Sequence, residues 1–315
     1  MLTLTELQAI TDYYVEKTPN DIYFKSNVLL YKLLGGETGV KVIPGGKKIQ
    51  IILEYAEGNG GEYGATTKLA LNKKEIYNAA FFRWAAYYAG VTIDLDDQRQ
   101  NSGDLAIVNL INGKLKNAQK TIRTKMGTDI YLAATNNNKL NGLGDMFNTV
   151  TATPYGEIAQ DDMADWAAIK TIAPAGAISF KMMQTIRRGA SIDDNKEGKP
   201  NLYLTTELLK DGFERTLQTQ ARYSDVNLIN AGFDNILFGG APVVTDNKQA
   251  AGTCDAINTN FVDILTHEDY NFTKPVWASP IDQPDIKVAF IRWSGNFICR
   301  NRKAHHRREG LTEPA

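Results

Sequence analysis

"EYAEGNGGEYGATTKLALN", residues 54–72, is the stretch that decides the fold. Gly58, Gly60, Gly61 and Gly64 stand within seven residues of one another. A dinucleotide-binding loop needs G-x-G-x-x-G, so that a tight turn feeds a helix whose N-terminus meets the pyrophosphate. Counted from Gly58, that pattern requires a glycine where Tyr63 stands. The phosphate loop G-x-x-x-x-G-K-[ST] fails as well, because Gly46-Lys47 is followed by Lys48 and position 41 is Lys41. A hairpin fits the segment better. "KKIQIILEY" (47–55) is rich in β-branched residues and reads as a strand. "TTKLALN" (66–72) reads as the strand that pairs back, which leaves the glycines at a bending tip. An isolated two-stranded hairpin is marginal in water, so this one is expected to lean on something outside itself.

Working outward, residues 4–17 and 20–34 read as two short helices, with Asn20 or Asp21 as the N-cap of the second. Residues 72–90 mix aromatic and small side chains, and periodicity leaves helix and strand–helix junction open. Then Leu105, Val108, Ile111, Leu115, Ala118, Ile122 and Met126 recur in steps of three and four. That spacing predicts one amphipathic helix of about 30 residues, roughly 40 Å long, with Ser102 or Asp104 as its cap. Further on the texture becomes α/β. A helix is expected over 177–195, a strand at 202–205 followed by a helix near 206–220, and a hairpin over 235–247 that turns at Gly239-Gly240 before Pro242. Segments 256–267 and 287–306 read as strands.

Composition narrows the function classes. The chain has 315 residues and 43% hydrophobic content, enough for one large core or two smaller ones. Lys plus Arg number 35 against 36 Asp plus Glu, so no basic field marks the whole chain for nucleic acid. Two distant cysteines, Cys254 and Cys299, do not make a disulfide framework. The first residues read as no secretory signal, and no apolar run reaches the length of a membrane span.

Catalytic constellations are sparse. Cys299 with His305 and His306 matches no zinc spacing. His267 with Asp269 reads as a polar pair at a strand end. Acid pairs at Asp96-Asp97, Asp161-Asp162 and Asp193-Asp194 read as solvated loop acids. The basic run "CRNRKAHHRR" (299–308) reads either as a solvated segment or as a contact for phosphate or an acidic neighbour. Aromatic residues are the stronger signal: Phe81, Phe82, Trp84, Tyr87 and Tyr88 lie close together, either as core or as surface covered by other subunits. The expectation is a chain that is not an enzyme and carries no cofactor or metal.

The order of these elements resembles the major capsid proteins of tailed bacteriophages, the Hong Kong 97-type fold. "GGKKIQIILEY", "PNLYLTTELLKDGFER", "GFDNILFGGAPVVTDN" and "DIKVAFIRWSGNFICRNRKAHHRREG" carry the resemblance, which covers nearly the whole chain. It implies an α+β fold with an N-terminal arm (1–40) and an extended loop with its return segment (41–100). A spine helix (101–131), an axial α/β domain (132–262) and a peripheral return segment (263–315) follow. It implies that the loop, through Tyr55, Gly58, Gly60, Gly61, Tyr63, Gly64, Lys68 and Leu69, lies over a neighbouring subunit. The axial hairpin with Gly239, Gly240 and Pro242 would lie among loops gathered at a local symmetry axis. Some family members cross-link a loop lysine to an asparagine of another subunit. Lys68 stands suitably near the tip, but no asparagine or assisting acid is identifiable. The implied partners are further copies of the chain in capsomers and shell, a separate scaffolding protein, a portal, and packaged DNA bound without sequence specificity, with no membrane. The implied location is the virion, assembled in a bacterial cytoplasm. The same fold also serves encapsulin compartments, and an α/β enzyme of small molecules is the third class.

Overall fold

The computed structural model describes residues 5–6, 27–35, 41–64, 68, 72–94, 96–97, 104–172, 176–193, 195–217, 235–273 and 275–313. In chain order the strands are β1 (Lys41–Ile43), β2 (Ile49–Glu54), β3 (Tyr77–Phe82), β4 (Ala85–Ile93), β5 (Lys170–Thr171), β6 (Gly176–Ala177) and β7 (Leu202–Thr205). They continue as β8 (Asn235–Phe238), β9 (Ala241–Thr245), β10 (Cys254–Ile257), β11 (Val262–His267), β12 (Lys287–Cys299), β13 (His306–Arg308) and β14 (Leu311–Thr312). The helices are α1 (Val28–Leu30), α2 (Asp104–Asp129), α3 (Leu143–Met146), α4 (Phe180–Gly189) and α5 (Glu207–Thr216).

Two sheets organise the chain. The first has the order β1-β11-β12-β4. In β4, Ala85, Tyr87, Ala89, Val91 and Ile93 alternate with exposed residues, as a strand with one covered face must. Helix α2 covers that face through Ile111, Leu115, Ala118, Ile122 and Met126, the expected apolar stripe. Leu105 and Val108, and the cap at Ser102, lie outside the residues whose side chains are described. The 26 residues of α2 span about 39 Å. At its end, Tyr87 Oη donates to Asp129 Oδ2 at 2.9 Å. Asn27 then ties α1 to the same place: its side chain caps Leu30 and donates to the Gly127 carbonyl at 3.2 Å. The cap expected at Asn20 or Asp21 lies outside the described residues.

The second sheet has the order β5-β13-β10-β7-β9-β8. Helices α4 and α5 pack with it, and Phe238 sits at the centre of their core. The rings of Phe180, Tyr203 and Phe213 meet Phe238 edge-on, at 5.4, 5.7 and 5.7 Å. Strand β7, helix α5 and the β8–β9 hairpin stand where their sequence places them. Gly239 and Gly240 have φ of 59° and 85°, the left-handed pair that a two-residue turn between twisted strands requires.

Three expectations are corrected. The partner of β2 is β3, with Ile49 opposite Phe82 and Glu54 opposite Tyr77, and not residues 66–72. Segment 72–90 holds β3 and the start of β4, broken at Arg83-Trp84, and no helix. Residues 263–315 do not stay together: β12 joins the first sheet, whereas β13 lies between β5 and β10 in the second, and β14 pairs with β6.

The solvated reading of the basic run is corrected for Arg302, Arg307 and Arg308, which are buried, while the acidic-neighbour reading holds for Arg307 at Asp255, the exposed Arg300 at Asp263 and Lys303 at Asp165. Arg302 is 1% exposed and donates to the carbonyls of Met146 (2.9 Å), Trp166 (3.0 Å) and Asn148 (2.7 Å), with its guanidinium 5.0 Å from the Tyr155 ring centroid. Arg307 grips Asp255 with two 2.7 Å bonds, and Gln249 donates to the same carboxylate at 2.8 Å. Buried charges persist when they are paired and hydrogen-bonded in this way. The run therefore fastens α3 and the second sheet to the chain's last described segment.

Candidate functional site

The β2–β3 hairpin springs from the two outer edges of the first sheet, since β1 precedes it and β4 follows it. Its root is anchored within the chain. Ile49, Leu53, Ala80 and Phe82 are buried on one face. Against them presses the turn Tyr155–Ile158, whose central residues Gly156 and Glu157 have φ of 63° and 66°. Phe81 N donates to the Gly156 carbonyl at 2.9 Å, the Phe82 and Tyr155 rings meet edge-on at 5.1 Å, and Lys48 Nζ reaches Glu157 Oε1 at 2.6 Å. The expected outside support thus begins inside the subunit. Nothing in the spacing of residues 54–72 pointed to this anchor. The glycine-bearing turn "PYGEI" (154–158) was its one local signal.

Beyond the root the hairpin is bare. Gly58, Gly60 and Gly61 have no atom within 4 Å of where a side chain would begin, among the described residues. Gly64 and Lys68 are exposed, Tyr63 is 74% exposed, and Leu69 lies outside the described residues. Tyr55 is half-buried and packs against the chain's own core. Asn59 donates to the Asn72 carbonyl across the loop. Ile52 and Tyr77, on the face opposite the anchor, are exposed. In the second sheet the Gly239-Gly240 turn is exposed beside the Arg187 guanidinium, whereas Pro242 is buried within β9.

The candidate chemical groups are tied into their own surroundings, although the buried His305 Nε2 has no partner among the described residues. His305 Nδ1 accepts from Asn258 N at 3.1 Å, and burial pushes its pKa down to about 3. His306 lies between Thr171 Oγ1 (2.9 Å) and the Ile186 carbonyl (3.2 Å), and burial lowers its pKa too. Cys299 is fully buried, its thiol pushed up to about 12 by burial. Cys254 is raised in the same way. His267 Nδ1 accepts from the Asp269 backbone N at 3.1 Å and stacks near Trp84 and Tyr270. Asp97 pairs with Lys114, which lowers its carboxyl pKa. Among the described residues, no group of three His, Cys, Asp or Glu side chains is placed to hold a metal ion. Nor, among them, is any helix long and apolar enough to cross a membrane.

No family model matches the sequence, and no curated protein does either. Solved structures do. The capsid subunit of cyanophage A-1(L) is similar with a TM-score of 0.67 and 15% identity over 91% of this chain and 93% of that one. The capsid of a native GTA particle gives a TM-score of 0.58 and 10% identity over 87% and 88%. The SrpI encapsulin of Synechococcus elongatus PCC 7942 gives 0.55 and 10% over 88% and 86%. At these identities the likeness is one of fold: the chain has the α+β Hong Kong 97-type fold along most of its length.

Proposed function

We propose that this chain is the major shell subunit of a tailed-phage head, forming pentamers and hexamers that close around packaged DNA. One observation carries the reading: the likeness to the cyanophage capsid subunit spans nine-tenths of both chains, 91% and 93%. The hairpin supports it. A ribbon tip as exposed as this one gains little burial to offset an ordering cost of about 1–2 kcal/mol per residue. A neighbouring subunit supplies that burial at about 25 cal/mol per Å² of apolar surface. The loop residues Tyr55, Gly58, Gly60, Gly61, Tyr63, Gly64, Lys68 and Leu69 are assigned to that contact. The exposed Gly239-Gly240 turn is assigned to the local five- or six-fold contact. The reading carries a separate scaffolding protein, a portal and sequence-independent DNA contact as partners. It carries the virion as location, with assembly in the bacterial cytoplasm.

Negative-stain microscopy of the purified protein tests it: closed shells or capsomers are expected, and a monodisperse monomer under all assembly conditions refutes it. A second reading, an encapsulin compartment, draws on the SrpI likeness over 88% of the chain. Shell contents separate the two, since a head fills with DNA and an encapsulin encloses a cargo protein.

A further inference from the structure

We propose that Asn59-Gly60, in the loop between β2 and β3, is a site of spontaneous deamidation, at which the unassembled chain converts Asn59 to aspartate and isoaspartate and so opens its own loop. The chemistry rests on the loop alone. Its consequence for assembly rests on the shell reading.

The reaction makes two demands of the backbone. The amide that follows the asparagine has to be free to turn onto the side-chain Cγ, and the next residue must not obstruct that approach. Glycine meets the second demand, since it carries no Cβ. The amide nitrogen, having given up its proton, bonds to Cγ. The carboxamide C–N bond breaks, and its NH₂ leaves as ammonia with the proton that the backbone gave up. The resulting succinimide ring takes up one water, which splits either of its two carbonyl–nitrogen bonds. One product is aspartate. The other carries the main chain through the side chain as isoaspartate. Water is the only co-reactant, and nothing is oxidised or reduced.

The sequence holds three Asn-Gly pairs, Asn59-Gly60, Asn112-Gly113 and Asn141-Gly142, and the fold separates them. Gly113 lies inside α2, with its amide committed to the helical ladder. Gly142 is buried, its amide donates to Asp145 Oδ2 at 3.2 Å, and a side chain there would begin 2.1 Å from the Leu132 carbonyl oxygen. Neither amide can turn unless its surroundings open. Asn59 and Gly60 are both exposed and lie outside the two strands. Among the described residues the Gly60 amide donates to no backbone carbonyl, and no atom stands within 4 Å of where a Gly60 side chain would begin.

Conversion changes the loop through a bond already in place. Asn59 Nδ2 donates to the Asn72 carbonyl and joins the two arms of the loop. A carboxylate at this position has no N–H to give and meets the Asn72 oxygen with like charge. It is also a fourth carboxylate among residues 54–64, which hold Glu54, Glu57 and Glu62 and no cation. The loop therefore loses its clasp and gains charge in one step. A neighbouring subunit lying over the tip would hold Gly60 still, so the reaction belongs to chains that remain unassembled.

The test uses the full chain. Fresh subunit is held in mildly alkaline buffer and mapped by peptide mass spectrometry, and isoaspartate is counted with a protein isoaspartate methyltransferase and labelled methyl donor. Asn59 is expected to convert more than about tenfold faster than Asn112 or Asn141, because those two must first open locally. Gly60→Ala, which the open space and ordinary φ at Gly60 admit, is expected to slow the conversion, and Asn59→Gln to remove the isoaspartate from that peptide. Equal rates at the three asparagines, or an Asn59 that stays intact, overturn the site. Shell yield is then compared before and after ageing. Wild-type chain is expected to lose yield in step with conversion, while Asn59→Gln aged beside it keeps its starting yield. Aged wild type that carries converted Asn59 and assembles as well as fresh protein overturns the role in assembly. Fresh protein that forms no shells refutes the shell reading and that role with it, and the peptide map still decides the site.

Discussion

Replacing Gly156 by alanine strikes the hairpin at its anchor. At φ of 63° an added Cβ crowds its own backbone, which costs about 1–2 kcal/mol. The same Cβ would stand 2.9 Å from Ala80 Cβ and 2.9 Å from Phe82 Cζ, both on fully or nearly fully buried side chains. Neither can swing into solvent, so β3 has to move, and overpacking of this kind costs about 1–3 kcal/mol. Together the two effects come to about 2–5 kcal/mol, a large share of a typical domain's stability. Urea unfolding of the isolated chain reads the loss as a lowered midpoint at unchanged slope. Hydrogen exchange reads its location: the Phe81 amide, bonded to the Gly156 carbonyl, and the β2 ladder should exchange first. A Gly156→Ala subunit within about 0.5 kcal/mol of wild type, the ordinary scatter of surface substitutions, with Phe81 still protected, would show that the 155–158 turn does not hold the hairpin.

Deleting residues 58–64 should do the opposite: subunit stability hardly changes, because loop shortening is thermodynamically mild, while shell assembly is impaired in sedimentation. Arg307→Met should destabilise the subunit by about 3–5 kcal/mol, because it strands the fully buried Asp255 carboxylate; a thermal melt that does not move would refute this. For His305 the pH sign follows from its depressed pKa. The unfolded chain takes up a proton below the ordinary value of 6.5, and the folded chain does so only at about 3. Its contribution is therefore full above pH 6.5 and is lost on acidification toward 3, by about 1.4 kcal/mol per pH unit. Asp145 and Asp246, both held up by burial, act in the opposite sense nearer the carboxylate range. Stability measured against pH should show a shallower acid slope in His305→Gln, and equal slopes would refute the assignment.

What the sequence disclosed was local or periodic. The stripe on α2, the β7–α5 succession and the Gly239-Gly240 turn each write their structure within a few residues, and the order of such pieces sufficed for the fold. The return strand of the hairpin was missed because "YNAAFF" hides its alternation behind two alanines, while "TTKLALN" alternates more visibly. The role of the basic run was invisible for another reason. Arg302 finds its acceptors 136 to 156 residues away and Arg307 finds Asp255 52 residues away, so nothing nearby distinguishes them from solvated cations.

Strand β13 has a consequence for synthesis. It occupies an inner place of the second sheet, with β5 on one side and β10 on the other. A chain emerging from the ribosome folds its earlier parts first, yet this sheet keeps an open slot until residues 306–308 arrive. Arg307 and its bonds to Asp255 come with the same segment. A prematurely terminated chain therefore has an exposed gap where an inner strand belongs. The topology thus makes completion of the second sheet wait on translation through that strand.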